Sequence, residues 1–211
     1  MNDKKKAIVI GEYSRVEYHP LKGVDKELER ILSGFRVEFT EEYDRFRAQS
    51  LAQYDLCLSF TDHWKEKLSD EQTAGLLSFV CNGGGLLAIH NGIAIQNRFE
   101  LAQLCGGKFI RHPEQKLLDY RPAATGHEIL EGVEGFSFVD EPYQFELDPF
   151  TEKTMLLEYE SEGSVWPSAW AIRYGLGRVV YLSPGHNAEA YSDPMFGKLI
   201  ERSALWAIGK L

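Results

Sequence analysis

The sequence has few cysteines, no long apolar run and a deficit of positive charge. Its three cysteines are odd in number and lack CxxC spacing, which argues against a disulfide framework and favours a reduced, cytoplasmic protein. No apolar run approaches the roughly 20 residues that a membrane-spanning helix needs. The 23 Lys and Arg residues against 32 Asp and Glu give a net charge of −9, so nucleic acid and anionic membrane surfaces are unfavourable partners.

Aromatic residues, by contrast, are plentiful. The 12 Phe, 10 Tyr and 4 Trp residues exclude disorder as the main state of the chain. Its length of 211 residues suits a single α/β domain over residues 1–211. The charged start, Met1 to Lys6, precedes an apolar run of only four residues. We therefore expect no signal peptide, because such a peptide needs a longer apolar region.

Strands and helices alternate in the first half of the sequence and imply a mainly parallel sheet with helices on both faces. The apolar pattern predicts strands at 7–10, 35–39, 55–60 and 84–90, and helices at 24–34, 43–53, 69–82 and 98–105. Short strands follow at 116–120, 136–139, 155–159, 169–174 and 178–182, before a final helix that starts at Asp193 and Pro194.

Polar residues follow the predicted parallel strands where each strand ends. Right-handed crossovers place the carboxyl ends of parallel strands at one edge of the sheet, where α/β proteins bind ligands. The side chains expected at this edge are Glu12, Tyr13, Thr61, Asp62, His63, His90, Asn91, His186 and Asn187.

Two histidines stand out at this edge. His90 lies in Ala88-Ile89-His90-Asn91-Gly92, whose small flanking residues are typical of a nucleophile elbow, with imidazole in place of a hydroxyl or thiol. A catalytic or ligand role and a structural hydrogen-bonding role both stay open for His90. His186 follows the last strand, and we expect a functional role for it, the alternative being a cap on the final helix.

The segment Asp140-Glu141-Pro142-Tyr143 adds carboxylates and a phenol after a strand. A carboxylate near two histidines can orient an imidazole, act as a general base or ligate a metal. The alternative for Asp-Glu-Pro is a solvated turn.

The remaining candidates are weaker. His112 and His127 lie in loops without metal-ligand spacing, so structural roles are favoured over pocket-lining ones; His19 and His63 stay undecided. Core packing is expected for Cys57 and Cys81, and Cys105 is a poor nucleophile candidate because no histidine is in register with it. Stacking on a sugar is conceivable for Trp166, Trp170 and Tyr174, but we expect core packing.

Five blocks in order resemble the trehalose-utilization (ThuA-like) family. They are residues 83–90, 104–113, 126–129, 140–143 and 175–186. The resemblance implies a flavodoxin-like, doubly wound fold of the class I glutamine amidotransferase type, and a context of sugar catabolism that includes trehalose. His90 stands where amidotransferases carry their nucleophilic cysteine, which argues against glutamine hydrolysis by a thiolate.

These observations lead to two hypotheses for a protein that acts on a small sugar or sugar derivative. In the first, an enzyme uses His90, Glu141 and His186 as acid and base groups or as ligands of a divalent metal such as zinc. Its substrate would contact residues near this edge, namely Asn91, Tyr143, Asn187, His112 and Glu12. In the second, the chain is a non-catalytic sugar-binding or regulatory module on an amidotransferase-like scaffold. The surplus of aromatic residues in the second half also suggests a homo-oligomer.

Overall fold

A large mixed sheet forms the framework of the computed structural model, which describes residues 4–211 and leaves residues 1–3 of the predicted 1–211 domain outside. The strands are β1 Lys5–Gly11, β2 Phe35–Thr40, β3 Leu56–Phe60, β4 Gly85–Ile89, β5 Gly107–Arg111, β6 Lys116–Pro122, β7 Phe136–Asp140, β8 Gln144–Leu147, β9 Thr154–Ser161, β10 Ser164–Tyr174 and β11 Gly177–Leu182. The α-helices are α1 Val24–Ile31, α2 Ala48–Leu51, α3 Asp70–Cys81, α4 Phe99–Leu104 and α5 Pro194–Ala207.

Within residues 4–211, the large sheet has nine strands in the order β2-β1-β3-β4-β11-β10-β9-β6-β7. The first five of these pair in parallel, and the remaining pairings are antiparallel. A separate antiparallel pair, β5 and β8, lies outside this sheet. The predicted α/β class is therefore confirmed, and the sheet is mixed, with parallel pairing among five of its strands.

Helices cover both faces of the sheet because the central strands are apolar on both faces. Strands β3 and β4 are buried along their whole length, as expected for parallel strands between two helical layers. On one face, α1 and α5 contribute to a core cluster that includes Leu28 and Phe196. On the other, α3 and α4 contribute to a second cluster that includes Leu76 and Leu101. This sandwich holds the carboxyl ends of the parallel strands in fixed positions.

Local signals placed the long helices correctly. The predicted capping box of α3 is present: the Ser69 hydroxyl accepts from the Gln72 amide, and the Gln72 side chain accepts from the Ser69 amide. Asp193 caps α5 by accepting from the amides of Met195 and Phe196. Pro194 follows Asp193 directly and occupies the first position of the helix.

Three details differ from the sequence predictions. The helix expected over 43–53 is a 3₁₀ turn, Tyr43–Phe46, followed by the short α2, because Arg47 between them is extended. Strands β5 and β8 were missed; each is short, and each exists through its pairing with the other. Cys81 is exposed at the end of α3, so its assignment to the core was wrong, whereas Cys57 and Cys105 are buried.

No helix within residues 4–211 is long and apolar enough to cross a membrane.

The aromatic residues of the second half mostly pack inside. Trp170 is fully buried, and Trp166 and Tyr174 are partly buried against the two core clusters. Their expected role in core packing is confirmed.

Candidate functional site

His90 occupies a tight turn at the end of β4. Its backbone is in the left-handed region at φ 48°, a conformation that costs a non-glycine residue about 1–3 kcal/mol. Two residues on, a Cβ on Gly92 would lie 1.9 Å from the Ser59 carbonyl oxygen, so the turn needs glycine there. The strained turn projects the imidazole beyond the end of the sheet, as the elbow-like pattern predicted.

The hydrogen bonds of His90 determine which of its nitrogens has a free lone pair. Its Nδ1 lies 2.6 Å from the Ser183 carbonyl oxygen, which only accepts, so Nδ1 carries the hydrogen. Burial lowers the pKa of His90 and favours the neutral ring. Its Nε2 therefore presents a lone pair, 3.2 Å from Oε2 of Glu141.

His19 reaches the same point from the loop after β1. Its Nδ1 lies 3.0 Å from Oδ1 of Asp62, and its Nε2 lies 3.6 Å from Oε2 of Glu141. Burial lowers the pKa of His19, but the interactions with Asp62 and Glu141 outweigh it and leave the pKa raised. The surroundings of His19 thus favour a positive charge on its outward nitrogen, which a proton or a metal ion can supply.

Glu141 is the centre of the cluster. Its Oε2 also lies 3.3 Å from Nδ1 of His186, so three imidazoles face one carboxylate. Burial alone would raise the pKa of Glu141, but the interactions with His186 and His19 hold it far below its usual range. One ligand atom from each of these four residues lies within 4.8 Å of the other three. Nε2 of His19 and Nδ1 of His186 are buried without a hydrogen-bond partner in the described structure.

Asp62 fixes the loop that carries His19. Its Oδ2 accepts from the backbone amides of Glu17, Tyr18 and His19, and its Oδ1 faces both His19 Nδ1 and the Trp64 indole N–H. Burial raises the pKa of Asp62, but these interactions outweigh it and lower the pKa to about 2. A carboxylate behind a histidine in this way is typical of metal sites, where it sets the tautomer and the ring orientation.

Asp140 has a structural role beside Glu141. It is fully buried and accepts from the amides of Glu141, Gly185 and His186 and from the Tyr120 hydroxyl. These bonds join the end of β7 to the loop after β11, so Asp140 positions both Glu141 and His186.

The other predicted substrate contacts divide into two groups. Tyr143 stacks on His90 with ring centroids 4.2 Å apart, and His112 Nε2 lies 3.7 Å from Oε1 of Glu141, so both reach the cluster. The side chains of Asn91, Asn187 and Glu12 make structural contacts instead, with the Phe60 carbonyl, the Ala190 amide and the Asp62 amide respectively.

A cavity of about 390 Å³ opens in front of the cluster. Its lining is Glu17, Tyr18, His19, Trp64, Phe109, His112, Glu141, Tyr143 and His186. Sequence reasoning missed Trp64 and Phe109 and left His19 undecided. His19 had one sequence signal, its position near the loop after the first strand, and Asp62, two residues before Trp64, was expected at the predicted edge after β3. His63 and His127 lie elsewhere, their rings against Tyr43 and Trp206.

The buried carboxyl of Glu12, which accepts from the Asp62 amide, gives a testable prediction on how stability depends on pH. It is 3 % exposed, and burial raises its pKa from 4.5 to about 7. The folded protein then binds a proton more tightly than the unfolded chain, so Glu12 lowers the free energy of unfolding as pH rises from about 4.5 to 7. In Glu12→Gln this loss is absent, and we expect the variant to be more stable than the wild type by about 3 kcal/mol at pH 8.

Denaturant unfolding of the metal-free protein at pH 5 and pH 8 measures this difference. The exposed Glu42→Gln is the matched control and should show the same small difference at both pH values. An advantage of Glu12→Gln that does not grow with pH would contradict the buried, protonated carboxyl.

Comparisons with known proteins agree with the resemblance stated above. A family model described as "ThuA: Trehalose utilisation" matches residues 6–207. The chain belongs to the ThuA family. A search of curated protein sequences found no match.

Solved structures of ThuA-like proteins share the fold. The chain is similar to a ThuA-like protein from Parabacteroides merdae, with 18% identity, a TM-score of 0.82, and coverage of 98% of this chain and 91% of that one. A ThuA-like protein from Bacteroides uniformis has 16% identity, a TM-score of 0.77, and coverage of 97% of this chain and 91% of that one. A Salmonella typhimurium protein described as a cytoplasmic protein has 16% identity, a TM-score of 0.66, and coverage of 96% of this chain and 96% of that one. At these identities the likeness shows the fold alone.

The blocks that resemble the ThuA family meet at the cluster. Residues 83–90 supply His90, 140–143 supply Glu141, 175–186 supply His186, and 104–113 supply His112 at the rim of the cavity. The block at 126–129 lies apart, where His127 Nδ1 accepts from the Ile129 amide. Four of the five blocks are thus explained by a single site.

Proposed function

We propose that this ThuA-family protein binds a divalent metal ion through His19, His90, Glu141 and His186 and uses that centre to process a neutral sugar. The observation that carries the proposal is the convergence of four ligand atoms within 4.8 Å. Two of them are buried and lack hydrogen-bond partners in the described structure, and a third is the lone pair of His90. Three imidazoles and a carboxylate are a ligand set that suits zinc and other first-row metals.

The surrounding residues favour a cation at this point. Glu141 stays ionised, and the carbonyl of Ser183 and the carboxylate of Asp62 leave the outward nitrogens of His90 and His19 free to bind. A metal ion bound there supplies a Lewis acid that polarises a substrate oxygen or activates a water. His112, at the rim of the cavity, is placed to bind substrate rather than metal.

The sugar component rests on the family description and on the charge of the cavity. Its lining includes the carboxylates of Glu17 and Glu141 and, within the part of the chain that the structure describes, no Lys or Arg. The described lining therefore offers no Lys or Arg side chain to pair with a phosphate or carboxylate, and the chain carries a net charge of −9, so the proposed substrate is neutral. The family description, trehalose utilisation, supports a role in the use of trehalose or a related disaccharide.

Metal binding is the decisive test. We expect the purified protein to hold about one equivalent of zinc or another divalent metal, measured by elemental analysis after dialysis. Metal at 100 times its dissociation constant should stabilise the fold by about 2.7 kcal/mol. His19→Ala should lose the metal and this stabilisation, whereas His127→Ala, a histidine away from the cluster, should keep both. Wild-type protein that takes up no metal and gains no stability with any divalent ion would contradict the proposal.

A non-catalytic binding module is the second candidate. It is favoured by the imidazole of His90 at the elbow, because no hydroxyl or thiol nucleophile stands at that position. Metal-loaded protein that binds trehalose and never converts it would support this candidate. Turnover of an intact or oxidised disaccharide that is lost in His90→Ala would exclude it.

We also propose that the fold is flavodoxin-like, in the manner of class I glutamine amidotransferases. The parallel strands support it, because their order β2-β1-β3-β4-β11 corresponds to the 2-1-3-4-5 order of flavodoxin-like sheets. Glutamine hydrolysis itself is disfavoured, since burial raises the pKa of the Cys105 thiol to about 12. The free thiols of Cys57, Cys81 and Cys105 support a location in the cytoplasm.

A further inference from the structure

Two aromatic rings form a wall beside the metal cluster. Trp64 and Phe109 are half-buried, with ring centroids 5.1 Å apart, and both line the cavity that contains Glu141 and His186. The ligand set leaves both rings unused. A cavity that joins an apolar wall to a few convergent polar groups is typical of a small-molecule site.

Trp64 is held in place by its side chain and by its backbone. Its indole N–H donates to Oδ1 of Asp62 at 2.9 Å, and its carbonyl oxygen accepts from the side-chain amide of Asn97 at 2.6 Å. A ring that is fixed before a ligand arrives loses little conformational entropy on binding. The packing and hydrogen bonding of Trp64 therefore suit a binding role.

Asp62 links this wall to the cluster. The same oxygen, Oδ1, faces Trp64 Nε1 at 2.9 Å and His19 Nδ1 at 3.0 Å. A single carboxylate thus sets the position of a proposed metal ligand and of the indole ring relative to each other. A ligand on the indole would lie at a fixed distance from the centre.

We propose that Trp64, together with Phe109, is the stacking platform for the pyranose ring of a neutral sugar, and that Asp62 fixes the position of this platform relative to the metal centre. A pyranose has an apolar face of C–H groups that packs on an aromatic ring, while its hydroxyls reach polar groups at the edge. Here those polar groups are Glu141, His112 and His186. The inference rests on the proposed function, because it assigns the ligand of the same site.

Titration of the zinc-loaded protein with trehalose tests the platform through affinity and tryptophan emission. Trp170 and Trp206 are buried away from the cavity, so sugar binding should change the emission of Trp64. Trp64→Leu should keep its zinc and bind trehalose about tenfold more weakly. Trp64→Phe should bind with intermediate affinity, because it keeps a ring but loses the bond to Asp62, and its emission should no longer respond to the sugar.

Trp166→Phe is the matched control, since Trp166 lies on β10 and does not line the cavity. It should retain the affinity and the emission change of the wild type. Trehalose 6-phosphate should bind no more tightly than trehalose, because the lining, as described over residues 4–211, offers its phosphate no Lys or Arg side chain. The Trp64→Phe variant keeps the test informative if Trp64→Leu folds poorly.

The outcomes separate this inference from the proposed function. Wild-type affinity and emission response in both Trp64 variants would overturn the platform, while the metal centre and its sugar ligand would stand. Zinc-loaded wild-type protein that does not bind trehalose would overturn the sugar component of the proposed function and the platform with it. Tighter binding of the phosphorylated sugar would overturn the assignment of a neutral ligand.

Discussion

Replacement of Glu141 by Gln is expected to lower metal affinity more than about 100-fold and to abolish turnover. The substitution keeps the shape of the side chain but removes the only negative charge among the four proposed ligands. Loss of a group that merely orients a ligand costs 10–100-fold in metal affinity, so loss of the anionic ligand itself should cost more. Isothermal titration with zinc and elemental analysis measure the effect.

The stability of metal-free Glu141→Gln distinguishes the loss of a metal ligand from a loss of folding. The Gln side chain can donate an N–H to the lone pair on Nε2 of His90, which the carboxylate cannot do. We therefore expect metal-free Glu141→Gln to remain folded, and to differ from the wild type chiefly in gaining no stability from zinc. The exposed Glu134→Gln is the matched control and should bind zinc as the wild type does. Unchanged zinc affinity in Glu141→Gln would contradict a metal centre built on this residue.

Replacement of Asp62 by Asn is expected to lower metal affinity about 10–100-fold without removal of any ligand. The amide nitrogen of Asn donates and cannot accept, so one of the two acceptor oxygens at this position is lost. The backbone amides of residues 17–19, the Nδ1–H of His19 and the indole N–H of Trp64 would then share a single oxygen. His19 would then adopt the wrong tautomer or turn away from the cluster. The buried donors left unpaired should also lower the free energy of unfolding by about 1–3 kcal/mol.

Asp55→Asn is the control for this prediction. Asp55 lies before β3 and pairs with Lys5 at 2.8 Å, at the end of the sheet away from the cluster. Its replacement should cost at most about 1 kcal/mol of stability and leave zinc affinity unchanged. If Asp62→Asn bound zinc with wild-type affinity, the proposed role of Asp62 behind His19 would be wrong.

The sequence by itself determined most of the secondary structure and three of the four cluster residues. Apolar runs such as 56–60 and caps such as Ser69 act within a few residues, so they can be interpreted without knowledge of the fold. His90 and His186 follow parallel strands, and strands of that kind end at one edge of the sheet. Glu141 was found because it follows a strand next to a proline and a tyrosine.

The tertiary structure shows why Glu141, and not the neighbouring Asp140, faces the cluster. Asp140 and Glu141 are adjacent, and successive side chains at the end of a strand point in opposite directions. Asp140 therefore accepts from Gly185 and Tyr120, while Glu141 faces the histidines.

The tertiary structure also decided the fourth cluster residue and the aromatic wall. The loop that carries His19 has no apolar periodicity, and its conformation depends on Asp62, 43 residues further along the chain. Phe109 lies on β5, which exists through pairing with β8. Contacts between segments so distant in sequence follow from how the whole chain packs, and no local pattern encodes them.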